Sequence, residues 1–351
     1  MTDSIVENLT RRAFLGTIAA SSLAGRGLAA EPVGRGIVDV HHHLYPPSFV
    51  TALVRGNQNL TAAKEWTPEH SLEDMDKAGV ATAILSITTP GVTFIEGDAA
   101  RRLARECNDY AAKLASDHAG RFGSFAILPW PDAEASLREI EYSLDTLKAD
   151  GIGMLTSYRD DKQPDNQGDK WLGDPSFAPI FEELNRRKAV VYTHPTSANC
   201  CRNALPGIPD TAIEYGTDTS RAIIRTVFSG TARKYPDIRF IFSHAGGTMP
   251  FVIERLVNLA KTPQYAAQFP NGYTAEAAKL YYDTAQASNP VAMAALRKIA
   301  PVSQIVFGTD YPFRTSLEHV KNLKECGVFT AAELRAIERE NGSRILPRRR
   351  A

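Results

Sequence analysis

The chain of 351 residues is 43% apolar, and its 40 lysines and arginines balance its 40 aspartates and glutamates. That is enough apolar residue for a large buried core, which excludes disorder, and too even a charge to supply the basic field that holds nucleic acid or an anionic membrane surface. The partner this composition favours is a small molecule; neither nucleic acid nor stable membrane association is expected.

In chain order, Thr10-Arg11-Arg12-Ala13-Phe14-Leu15-Gly16 runs into the small-residue stretch TIAASSLAGRGLAA and then Glu31-Pro32. This resembles a bacterial twin-arginine export signal, cut after Ala29 or Ala30, and it implies a periplasmic protein. Arg26 interrupts the apolar run, which is in any case shorter than the roughly 20 residues of a spanning helix. Residues 1–30 are therefore set aside, leaving 31–351 as the catalytic domain.

From residue 36 onward, short β-branched runs alternate with helical segments. Strands are predicted at 36–43, 80–88, 121–129, 151–158, 189–195, 238–247, 280–285 and 304–312. Helices are predicted to open at Ser71, Asp98, Asp132 and Asp174-Pro175, with further helices over 218–233, 249–260, 289–300, 315–326 and 330–342. Eight strands, each followed by a helix, fit an α/β fold of the TIM-type (β/α)8 barrel class. An open doubly wound sheet is the alternative, but no Gly-rich phosphate turn follows the first strand. Segments 44–70, 159–173 and 196–217 read as enlarged loops at the catalytic face.

Four cysteines, Cys107, Cys200, Cys201 and Cys326, show no disulfide framework. Adjacent Cys200-Cys201 could be soft metal ligands, but they read more simply as small loop side chains.

The sequence VDVHHHLYPP places three of the eight histidines together. Strand side chains alternate, so His41 and His43 share one face and His42 takes the other. His194 ends the fifth predicted strand, His244 the sixth and Asp310 the eighth. In a parallel barrel these strand ends meet at one mouth. Three neutral imidazoles and one carboxylate suit a single divalent ion, Zn most readily, with Mn or Fe as alternatives. His70, His118 and His319 read as surface residues.

DVHHHLYP, YTHP, SHAGGTMPF and GTDYPF together resemble the amidohydrolase superfamily, and within it the branch typified by aminocarboxymuconate-semialdehyde decarboxylase. The resemblance runs along nearly the whole chain after residue 31. It implies metal ligation by His41, His43, His194 and Asp310, and an acid/base role for His244. Two-metal members bridge their ions from the end of the fourth strand, which here reads Leu155-Thr156-Ser157-Tyr158, so one ion is expected. The resemblance also implies that Arg255 binds substrate carboxylate, reaching the neighbouring subunit of a homodimer. Where the family carries a second substrate arginine before Trp66, this chain has Lys64, a point charge without the bidentate fork.

Such a site can run two chemistries. In one, the bound ion chelates a small carboxylic acid, and Asp310 or a metal-bound water protonates the ring or alkene carbon so that carbon dioxide leaves. In the other, the ion activates a water for attack on a lactone, ester or amide. A non-catalytic metal binder is a third reading. The resemblance favours the decarboxylase. Trp66, Phe94, Tyr311 and Phe313 would suit a flat aromatic acid of the 6-methylsalicylate kind, and Arg314 could add a carboxylate contact.

Overall fold

The computed structural model describes residues 36–346, apart from positions 60, 65 and 160–167. The export signal expected at 1–30 lies outside the described residues.

Eight parallel strands form one sheet in chain order: β1 (Ile37–His43), β2 (Val80–Ser86), β3 (Phe122–Ile127), β4 (Gly151–Leu155), β5 (Val190–His194), β6 (Arg239–Phe242), β7 (Tyr281–Asp283) and β8 (Ile305–Val306). The first and last strands then meet. Val40 N–H donates to the Phe307 carbonyl (2.9 Å), His43 N–H to that of Tyr311 (2.8 Å) and Asp310 N–H to that of His41 (2.8 Å). These bonds bring the two edges together as in a (β/α)8 barrel, so both edge strands gain backbone partners.

Helices α1 (Pro47–Arg55) and α2 (Pro68–Ala78) follow β1, and α3 (Gly97–Asp117), α4 (Ala133–Glu141), α5 (Ala178–Arg186), α6 (Glu214–Phe228), α7 (Ile253–Ala260), α8 (Pro290–Arg297) and α9 (Ser316–Glu325) follow the other strands in turn. Their starts obey the capping chemistry of the sequence. The side chains of Asp132, Asn289 and Thr315 accept backbone N–H bonds from the first turns of α4, α8 and α9. Helix α1 falls inside the segment read as a loop. It opens on Pro47 with no side-chain cap and buries only Phe49 and Leu53, so its apolar period is short.

The apolar core has two layers. Val38, Val40, Ile84, Phe125, Val190, Tyr192, Ile241 and Val306 fill the barrel interior, joined by Ile345 and Leu346 from the C-terminal helical segment. A larger layer, including Met75, Leu103, Phe181, Ile223, Met293 and Leu323, lies between strands and helices. His319 belongs with the buried residues rather than the surface, at 2% exposure. It shares the inward stripe of α9 with Ser316, Val320 and Leu323, a 3,4-residue spacing that the sequence already contains.

Between the pairs Asp39–Ala83 and His42–Leu85, β1 carries one more residue than β2. This β-bulge shifts the side-chain phase. Val38 and Val40 face the barrel interior below it, and His41 and His43 face the interior above it. Asp39 pins the bulge from the outside. Its Oδ1 accepts from His41 N–H (2.9 Å) and Thr309 N–H (3.1 Å), while its Oδ2 accepts from the Thr309 hydroxyl (2.5 Å) and faces His42 Nδ1 (3.0 Å). Because Asp39→Ala strands buried donors on both edge strands, it is expected to lower stability by about 3 kcal/mol. A urea unfolding midpoint equal to that of the parent chain would contradict this role.

Candidate active site

Strand β1 delivers His41 and His43, and β5 delivers His194. His244 and Asp310 arrive from the loops just beyond β6 and β8 rather than from extended strand, because His244, Ala245 and Asp310 all have left-handed backbone (φ +55°, +56° and +66°). Gly308 lets the last strand come close: a Cβ there would lie 2.8 Å from the His41 Cβ and 3.2 Å from that of Asp283.

Each of the three strand histidines turns Nδ1 toward an acceptor. His41 Nδ1 lies 2.8 Å from Asp283 Oδ2, His43 Nδ1 lies 3.2 Å from the Ser86 carbonyl and His194 Nδ1 lies 2.8 Å from the Pro195 carbonyl. A carbonyl or carboxylate can only accept, so Nδ1 carries the proton and Nε2 presents a lone pair. Those lone pairs converge. His41 Nε2 and His43 Nε2 are 3.2 Å apart, and they lie 3.1 and 2.9 Å from Asp310 Oδ1. With His194 included, the four ligand atoms lie within 4.8 Å of one another, and all four residues are buried. Ligand atoms about 2.1 Å from a tetrahedral ion stand about 3.4 Å apart, so the spacing and the donor types fit one divalent cation.

Without a cation the cluster answers by titration. Burial works against a charged His41, yet Asp283 and Asp310 push its pKa up to about 10. Burial holds His194 well below the ordinary imidazole value and lowers His43 as well, with neighbouring histidines adding to both effects. Asp310 stays well below the usual carboxylate range despite burial, because His41, His244 and His43 favour its ionised form.

His244 completes the site from the mouth. Its backbone N–H donates to Asp283 Oδ1 (2.8 Å), and its ring Nε2 lies 3.5 Å from Asp310 Oδ2. Gln286 Nε2 donates to the same Oδ2 at 2.9 Å. Asp310 is thus split, with Oδ1 toward the ligand cluster and Oδ2 toward His244 and Gln286.

Asp283 and Gln286 went unread in the sequence, although Asp283 lies in predicted strand seven and ends the observed β7 as His194 ends β5. Thr89 is a further missed residue. Its hydroxyl donates to the Pro195 carbonyl (2.7 Å) and lies 3.3 Å from His194 Nδ1.

The residues expected to bind substrate are more scattered. Phe313 stands 52% exposed with its ring 5.8 Å from that of His43. Trp66 is buried beside Tyr45, its indole N–H without a partner among the described residues. Lys64 and Arg255 are exposed, and Arg314 pairs with Glu318 on α9. Tyr311 is corrected: it stacks on His42 (4.7 Å), the histidine that points away from the cluster. Phe94 packs at the end of α1, beside Gly56. A recess adjoining His194 is lined by Ile87, Val92, Ile127, Met154, Leu155 and Tyr158, an apolar wall next to the ligand cluster.

The amidohydrolase family model matches residues 38–348. The chain belongs to the amidohydrolase family. Among curated relatives, this amidohydrolase is 36% identical to decarboxylase yanB of Aspergillus niger over 329 residues, covering 89% of this chain and 87% of that one. It is 37% identical to 6-methylsalicylic acid decarboxylase of Penicillium expansum over 281 residues, covering 78% and 84%. Among solved structures, dihydroxybenzoic acid decarboxylase from Polaromonas, with bound manganese and the inhibitor 2-nitroresorcinol, superposes with a TM-score of 0.74 at 20% identity, covering 90% of this chain and 98% of that one. That likeness supports the barrel fold.

In this amidohydrolase the hydroxyls of Thr156 and Ser157, just past β4, are taken up by Asp218 (2.5 and 2.8 Å). Among the described residues one ligand cluster is present, in keeping with a single ion.

An ion held by this cluster would have to displace the proton on His41. The folded pKa of about 10 exceeds the ordinary 6.5, so protonated His41 stabilises the metal-free fold fully below pH 6.5, and that contribution is lost as pH rises through about 10. The ion competes for the same nitrogen, so its affinity should rise about tenfold per pH unit between about pH 7 and about pH 9. Chelator competition over that range measures it, and a flat dissociation constant would contradict the assignment.

Proposed function

We propose that this amidohydrolase is a metal-dependent, non-oxidative decarboxylase of a small aromatic acid of the 6-methylsalicylate class. The observation that carries the reading is the 36–37% identity to decarboxylases, one of them a 6-methylsalicylic acid decarboxylase, over 78–89% of the chain. The site has the parts for it. His41, His43, His194 and Asp310 would hold the ion, which would supply Lewis-acid polarisation of the substrate. Manganese takes precedence over the zinc suggested by donor types alone, because the Polaromonas relative carries manganese.

The chain's own groups then move one proton. Asp310 Oδ2 and His244 Nε2, 3.5 Å apart, can hold a proton between them beside the ring carbon that bears the carboxylate. Transfer to that carbon makes it tetrahedral. The bond to the carboxylate then breaks, its electron pair returns to the ring, and carbon dioxide leaves. His244 takes up the replacement proton once product has left. Gln286 holds Oδ2 in place, and the recess beside His194 gives the apolar ring edge a dry wall.

Lys64 in place of the family arginine argues for an aromatic monoacid over aminocarboxymuconate. We further propose export to the periplasm by the twin-arginine route and assembly as a homodimer. Arg255 is exposed on α7 near the exposed Phe251, and in the proposed dimer it would reach the second copy.

The test is carbon dioxide release from 6-methylsalicylate and 2,6-dihydroxybenzoate by manganese-loaded protein. The expected aromatic product incorporates one deuterium at the vacated carbon in D2O. His244→Asn should keep its metal and lose at least about 100-fold in kcat/KM. Turnover of esters or lactones without release of carbon dioxide would instead support hydrolysis.

A further inference from the structure

Loop 196–217 connects the metal-ligand strand β5 to α6 and contains the adjacent pair Cys200-Cys201. The pair sits in a single 3-10 turn, Asn199–Cys201. Cys200 is exposed and Cys201 half-buried, whereas Cys107 and Cys326 are buried. Arg221 Nη2 donates to Cys201 Sγ (3.5 Å), and the same guanidinium reaches Glu214 (3.3 Å) and Asp218 (3.7 Å) at the start of α6. Between these two acids lies Tyr215, whose ring stands 6.1 Å from that of His194. The turn is also tied to the neighbouring loop, since Asn199 N–H donates to Asp169 Oδ2 (2.6 Å).

We propose that Cys200-Cys201 is a reversible dithiol–disulfide switch, closed by small-molecule disulfides, that adjusts the loop against the active-site mouth. Arg221 holds Cys201 Sγ in place at the inner side of the turn, which makes it the attacking sulfur. Cys201 displaces one thiol from the oxidant to give a mixed disulfide. Cys200 attacks that bond, releases the second thiol and leaves a vicinal disulfide. Two protein thiols are oxidised as one small disulfide is reduced to two thiols. Cys200, exposed at the turn, takes the second, intramolecular step.

Reversibility follows from geometry. Adjacent Cα atoms stand about 3.8 Å apart across a trans peptide, below the usual disulfide span of about 4.4–6.8 Å. A bridge there is strained and readily reduced, the property of regulatory rather than structural disulfides. Closing the ring must alter the turn, and through Arg221 the change reaches Glu214, Asp218 and the Tyr215 segment.

The experiment treats the full chain with glutathione disulfide and follows mass, titratable thiols and kinetics. The expected result is a chain lighter by two hydrogen atoms with two of its four free thiols lost, a shift in KM of about fivefold or more, and recovery of both with dithiothreitol. Cys200→Ser should instead retain glutathione as a mixed disulfide on Cys201. Four thiols unchanged, or a stable glutathione adduct on the parent chain, would overturn the switch. A disulfide that forms with KM unchanged would overturn its coupling to the mouth. The kinetic arm rests on the decarboxylase reading, while the mass and thiol arms do not, so the two can fail separately.

Discussion

Four electron-pair donors face one another in the dry mouth of this barrel, and much of the local structure exists to keep them there. Imidazole Nε2 atoms 3.2 Å apart, with a carboxylate oxygen 2.9–3.1 Å from both, repel unless a cation sits among them. In the metal-free chain a proton on His41 fills that need, and a divalent ion can take its place. The arrangement is sustained from behind, where Asp283, the Ser86 carbonyl and the Pro195 carbonyl each fix one Nδ1–H. These acceptors decide which nitrogen faces the centre, and hence whether the cluster can ligate at all.

Asp283 links the histidine cluster to His244. One of its oxygens orients His41, and the other receives the backbone N–H of His244 and of Ala285. Through it, His244 and the His41 of the cluster share one rigid reference. The left-handed residues His244, Gln286 and Asp310 each carry a conformational cost of about 1–3 kcal/mol. They cluster where Asp310 must show one oxygen to the cluster and the other to His244. The bulge in β1 plays the same part on the opposite edge, re-aiming His41 and His43 into the interior that Val38 and Val40 already occupy.

Much of this was legible in the sequence. Alternating apolar runs and helix caps marked the eight strands and most helices, and period-2 alternation separated His42 from its neighbours. The metal cluster followed because strand ends of a parallel barrel converge wherever the residues lie in the chain. What escaped the reading depends on local geometry that no periodicity encodes. The left-handed turns moved His244 and Asp310 off their strands, and the outward stacking of Tyr311 on His42 removed it from the mouth. Asp283 lay within a predicted strand two residues from its end, and His319 on a visible helical stripe, so both positions were legible. Arg255 and Lys64 are exposed in the single chain, so their roles turn on substrate or a second copy and not on intrachain packing.

On the proposed function, loss of carbon dioxide depends on one divalent ion at the His41, His43, His194 and Asp310 cluster. Titrating manganese into metal-stripped protein while recording carbon dioxide release from 6-methylsalicylate tests this most directly. Activity should rise linearly and break at one ion per chain. A break at two ions, or release that is indifferent to metal, would contradict it.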